Sequence, residues 1–148
     1  MKERGVFIAH CPESNTNLAS GVAPVRDFLE QGLSVGLGSD VAGGSTDNMF
    51  AAMAHAIRAS KLRWRLQDDS LKPITLTEAF YMATEGGGAF FGETGSFRPG
   101  YEADVVVLDD SRLESPAPLS VEQRLERMVY LADHREVHGK YVAGKRLF

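Results

Sequence analysis

Cysteine is almost absent from this chain of 148 residues; the single one is Cys11. An internal disulfide and any cysteine-rich zinc module are thereby excluded, and a reducing, cytoplasmic setting is the expectation. Long apolar runs are missing too. No segment approaches the ~20 residues that a membrane span needs, and the short run "VFIA" near the start is too brief for the core of a signal peptide. Nor is there a surplus of one charge: 16 basic residues face 20 acidic ones, a net charge of −4, so no global field gathers nucleic acid or an anionic membrane. Neither is expected as a partner. Arg58, Lys61, Arg63 and Arg65 around Trp64 form the one basic run, which reads as a solvated helix face. With 43% hydrophobic and 24% charged residues, the chain has the composition of an ordinary globular domain, or of a large piece of one.

The first half alternates strand and helix signals. "GVFIAH" reads as a short strand that begins almost at Met1, as though the chain were entered partway through a fold. "CPESNTNLASG" reads as a turn-rich loop, and "VAPVRDFLEQG" as a helix with Pro24 in its first turn and Gly32 at its end. Strand "SVGLGSD" follows, then the loop "VAGGST", then a long helix from about Asp47 to Gln67. On that helix Met49, Phe50, Met53, Ile57 and Trp64 recur at helical spacing and are expected in the core. Thr75 with Glu78 is a capping-box pattern opening a short helix that the run Gly86, Gly87, Gly88 interrupts. A Pro-Gly turn then leads into the strand "DVVVLD". Ser120 with Gln123 forms a second capping box, and the ending reads as two strands about a tight turn at Ala143 and Gly144. Strand, helix, strand, helix is the unit of parallel sheets and barrels. Two such units cannot close a barrel of about eight strands, so the sheet is small and open or other chain completes it.

Chemistry concentrates in "VGLGSDVAGG". Counting by twos from Ser34, Gly36, Gly38 and Asp40 share one face, opposite Val35 and Leu37. A bare face ending in a carboxylate leaves room for a ligand, a metal or another backbone, although an aspartate there also caps turns. His10 ends the preceding strand, so parallel strands would bring His10 and Asp40 to the same carboxyl edge, where such folds keep their sites. His55, His134 and His138 are expected on the surface, and Cys11 faces away from His10. Other recipes fail. The H-x-E and P-C-x-x-C elements of cytidine-type deaminases are absent, as are the dinucleotide fingerprint, the G-x-S-x-G elbow and the phosphate loop.

"AHCPESNTNLASG", "GLGSDVAGG", "TLTEAFYMATEGGGAFFG", "GSFRPGYEADVVVLD" and "YVAGKRLF", in that order, resemble the C-terminal third of the metal-dependent amidohydrolase superfamily, and within it the guanine deaminases. Thr16 departs from the pattern, which usually has an apolar residue between the two asparagines. The resemblance implies an α/β fold: the last two strand-helix units of a (β/α)8 TIM-type barrel over residues 1–92, with part of a composite β-sandwich over 93–148 carrying one helix at about 121–132. It implies hydrolysis of guanine to xanthine and ammonia, a step in purine catabolism, with one zinc ion whose other ligands are not in this chain. Asp40 would be both metal ligand and catalytic proton carrier, with Gly36 and Gly38 looking into the barrel. His10 and Asn15 would lie near the substrate. No His-x-His pair occurs, so the chain is expected to be inactive without the missing N-terminal barrel portion and, when complete, to be a homo-oligomer. Another purine, a pterin or a triazine as substrate, or a non-catalytic self-associating fragment, are the alternatives.

Overall fold

The computed structural model describes residues 1–148. Two short strands, β1 (Phe7–His10) and β2 (Ser34–Leu37), pair in parallel with Phe7 opposite Ser34 and His10 opposite Leu37. Between them run α1 (Pro12–Asn17) and α2 (Val25–Glu30). After β2 come α3 (Met49–Leu66), α4 (Leu76–Ala83) and the single turn α5 (Glu85–Gly88). The last third holds an antiparallel sheet in the order β3 (Val105–Leu108), β4 (Val137–Val142), β5 (Lys145–Arg146), with α6 (Val121–Leu131) between β3 and β4.

Local chemistry accounts for most of these elements. Asn48 caps α3 by accepting from the Phe50 amide at 2.9 Å. Both expected capping boxes form, at Thr75/Glu78 and at Ser120/Gln123, each satisfying amide donors that a helix start leaves free. Ala143 and Gly144, at φ 49° and 72°, make the two-residue turn between β4 and β5, the geometry that matches strand twist.

One core joins the parts. Val25 of α2, Val35 of β2, Met53 and Ile57 of α3, Ala79 and Met82 of α4, and Val129 of α6 pack together. The Arg58 guanidinium lies 5.6 Å from the centre of the Tyr130 ring, and Asn48 Nδ2 donates to the Ala132 carbonyl at 3.2 Å, further ties between α3 and α6. A bidentate pair, Arg26 to both Glu78 oxygens at 2.6 Å, binds α2 to the start of α4. Burial works against the Glu78 charge, but Arg26 and the Thr75 amide outweigh it and hold the carboxyl below its usual range.

Four expectations need correction. "CPESNT" is a helix, α1, not a loop: Pro12 suits a first helical position, and the Asn15 and Leu18 amides reach the Cys11 and Ser14 carbonyls at 3.0 and 2.9 Å. Trp64 is 38% exposed and stands outside the core. Gly36 and Gly38 do not form an open face. A Cβ on Gly36 would meet the Phe7 ring at 2.7 Å and the Gly87 Cα at 2.9 Å, and one on Gly38 would meet Cys11 Sγ at 2.9 Å; the missing side chains admit neighbours rather than a ligand. His55 is half-buried rather than on the surface, as described below. Thr16 is exposed and its hydroxyl donates to the Pro12 carbonyl at 3.0 Å, so the departure from the family pattern disturbs no packing.

Candidate functional site

Parallel pairing brings the ends of β1 and β2 together, and with them His10 and the loop that carries Asp40. The Gly38 amide donates to the His10 carbonyl at 2.9 Å, extending the ladder two residues short of Asp40. There the chain turns. Asp40 has φ 50°, a left-handed conformation that aspartate tolerates better than most residues, and its carbonyl accepts from the Gly44 amide at 2.6 Å.

The Asp40 side chain is exposed but not free. Ser14, only 3% exposed, donates its hydroxyl to Asp40 Oδ2 at 2.6 Å. The carboxylate takes part in none of the molecule's ion pairs. Helix α1 grips the same loop at two further points: Asn17 Nδ2 donates to the Gly43 carbonyl at 3.0 Å, and the Ser45 hydroxyl donates to Glu13 Oε1. Glu13 Oε2 lies 3.7 Å from His55 Nδ1, which has no hydrogen-bond partner. The open groove between α1 and α3 is lined by Glu13, Asn15, Asn17, His55 and Arg58, among others.

His10 is buried, with Nε2 unpartnered, and burial lowers its pKa to about 4, so its ring is neutral near pH 7. Cys11 points toward the acid: burial, and then the negative charge of Asp40, push its thiol pKa up, the opposite of what a reactive thiolate requires. Asn15 borders the groove one residue beyond Ser14. His134 and His138 are exposed, far from any such cluster in character. Parallel pairing thus brings His10 and the Asp40 loop to one edge of the sheet, Asn15 borders the groove between α1 and α3 instead, and the Ser14 contact was not legible in the sequence. The run Pro12-Glu13-Ser14 could have signalled a helix start, but nothing local ties Ser14 to a residue 26 positions away.

Zinc chemistry can be tested against this donor set. No group of three His, Cys, Asp or Glu residues gathers anywhere in the chain, so it does not build a zinc site of its own, which takes three or four protein ligands. Asp40 fits as one donor: an exposed carboxylate at a strand's carboxyl end, with no cation on it and one oxygen free of hydrogen bonds.

The sequence profile of the Amidohydrolase family matches residues 1–147. Guanine deaminase of Homo sapiens is 35% identical over 156 residues, covering 98% of this chain and 34% of that enzyme. Among solved structures, guanine deaminase from C. acetobutylicum with guanine bound in its active site superposes with a TM-score of 0.93 at 45% identity, across 99% of this chain and 35% of that one. An adenosine deaminase from Xanthomonas campestris with bound zinc superposes with a TM-score of 0.81 at 30% identity, across 98% of this chain and 32% of that one. The chain spans about a third of the length of these relatives.

Proposed function

The chain belongs to the amidohydrolase family, and from that premise we propose that it forms the C-terminal portion of a zinc-dependent guanine deaminase, active only when the rest of the barrel is present. In this reading residues 1–92 supply the last two strand-helix units of the (β/α)8 barrel and residues 93–148 part of the β-sandwich. The observation that carries it is the Asp40 carboxylate, unpaired with any cation and held by a buried hydroxyl at the carboxyl edge of β1 and β2, in a chain that superposes on a guanine-bound deaminase.

The chemistry is water for amine: guanine and water become xanthine and ammonia. Zinc, when bound, would supply the Lewis acidity that makes water nucleophilic at neutral pH. Asp40 would lend one oxygen to that ion, accept the proton of the attacking water, and return it to the amino group as it leaves. Its exposure leaves it accessible to both. His10 and Asn15 are proposed as substrate-proximal, His10 as a neutral ring whose unpartnered Nε2 is available for a hydrogen bond.

Exposed surfaces support the need for more chain. β1 and β2 each have one unpaired edge, and Phe90, Phe91 and Phe97 are 63%, 80% and 90% exposed. Uncovered edges and aromatics of this kind promote association. The remaining barrel would cover them, in a cytoplasmic homo-oligomer. The second reading, a non-catalytic chain that self-associates through the same surfaces, is separated by one assay. The chain is combined with the portion of the C. acetobutylicum enzyme outside the matched third, zinc is added, and xanthine formation from guanine is followed. Turnover is expected only in the mixture. A folded, zinc-loaded mixture without turnover counts against the deaminase reading; turnover of a pterin or triazine in preference to guanine changes the substrate.

A further inference from the structure

Resting on that reading, we propose that Ser14 is a positioning residue for Asp40, and that Gly43 is glycine because any side chain there would break their contact. Ser14 is almost wholly enclosed, and a buried hydroxyl makes a hydrogen bond somewhere; this one spends its proton on Asp40 Oδ2 at 2.6 Å, the short distance of a bond to a charged acceptor. One oxygen of the carboxylate is thereby fixed, and the plane of the group with it. The other oxygen is left for metal and proton.

Gly43 supplies the independent observation. A Cβ built on it would lie 2.6 Å from Ser14 Oγ and 2.8 Å from Asp40 Oδ2, so the backbone of residue 43 closes directly over the Ser14–Asp40 bond. Its φ does not demand glycine, since Gly43 is not among the positive-φ positions; proximity does. Asn17, one turn after Ser14 on α1, holds that backbone down through its bond to the Gly43 carbonyl. α1 therefore contributes the hydroxyl, and through Asn17 the lid over it. This gives "VAGG" a physical meaning that turn propensity alone does not: the first glycine is an enforced close approach.

Partners that orient a metal ligand typically change metal affinity or activity 10–100-fold when removed. In the zinc-loaded assembly, Ser14→Ala is expected to lower kcat for guanine about tenfold with KM within about twofold, and to weaken zinc retention in a chelator competition by a similar factor. Ser14→Thr, which keeps the hydroxyl, should recover most of both. Gly43→Ala acts from the opposite side without changing any residue of α1 and should reproduce the Ser14→Ala loss, so a folding failure of one variant does not decide the matter. On the 148-residue chain itself, Ser14→Ala should move the 13C resonance of the Asp40 carboxyl, a readout that needs neither metal nor turnover. Unchanged kcat and zinc retention in both variants, or an unmoved resonance, overturns the proposal. Asp40→Asn in the same assays keeps the two questions apart. If it is silent, the deaminase reading falls; if it is inactive while Ser14→Ala is silent, only the role of Ser14 falls.

Discussion

Three residues with a side chain adopt left-handed backbone, Ala19, Asp40 and Ala143, and the last two sit in turns built in different ways. At Ala143, φ 49°, the hairpin requires it: β4 and β5 must reverse in two residues and Gly144 follows at φ 72°, with Asp104, 39 residues away in sequence, accepting from the Ala143 amide at 2.8 Å. At Asp40, φ 50°, no hairpin requires the conformation; its carbonyl accepts from the Gly44 amide within the turn. The turn is gripped by Ser14, Asn17 and Glu13 of α1, which bind Asp40, Gly43 and Ser45 across 26 to 32 residues of sequence. Left-handed backbone outside a hairpin, at a side chain held by a buried hydroxyl, is what functional sites tend to show; in a hairpin it is only the shape of the hairpin. The same backbone angle thus carries the carboxylate proposed as metal ligand and proton carrier in one place and a methyl in the other.

Replacing each of these residues with glycine breaks the comparison open. Asp40→Gly relieves the same φ but removes the proposed proton carrier, and kcat in the assembled enzyme is expected to fall about 10²–10⁴-fold, measured as xanthine formed from guanine.

A smaller effect sets the acid response of the two regions apart. Burial depresses the His10 pKa from 6.5 to about 4, so the unfolded chain binds the proton first and the folded state is penalised as pH falls. The contribution is complete above about pH 6.5 and is lost on the way down to about pH 4, amounting to about 3 kcal/mol in all. Urea unfolding at pH 7.5 and pH 4.5 should reveal most of that difference in the natural chain and little of it in His10→Leu. An equal acid response in both chains would show that His10 is not the source.

Arg26→Met comes next. It removes four charge-assisted or carbonyl contacts, to Glu78 and to the Lys72 and Pro73 carbonyls, and is expected to cost about 2 kcal/mol in the same unfolding experiment. Ala143→Gly is the smallest change and of opposite sign: it should raise stability by about 0.5–1 kcal/mol, since a Cβ in left-handed backbone is unfavourable, and leave turnover untouched. A loss of activity there would erase the distinction between the two turns.

What the sequence made legible follows the same division. The hairpin, α3, α4 and α6 are each fixed by residues within a few positions of one another, as caps, turn formers or a periodic apolar face, and they form near where those signals put them. α1 was not legible, because Pro12, Ser14, Asn15 and Asn17 are turn formers by local preference, and the Asp40–Ser45 loop that α1 grips lies 26 to 32 residues further along the chain. The bare side of β2 was visible as a pattern but not as packing: only the folded chain brings Phe7, Gly87 and Cys11 onto Gly36 and Gly38. Asp40 and His10 stood out by sharing a strand edge, which parallel pairing bears out; the hydroxyl that holds Asp40 came from outside any local motif.

The most direct test of the account is anomalous diffraction at the zinc edge from crystals of the zinc-loaded assembly of this chain with the remaining barrel. The account predicts an ion about 2.0–2.2 Å from an Asp40 oxygen, with the Ser14 hydroxyl still on the other. An ion bound entirely by the other portion, with the Asp40 carboxylate turned away into solvent, would contradict it.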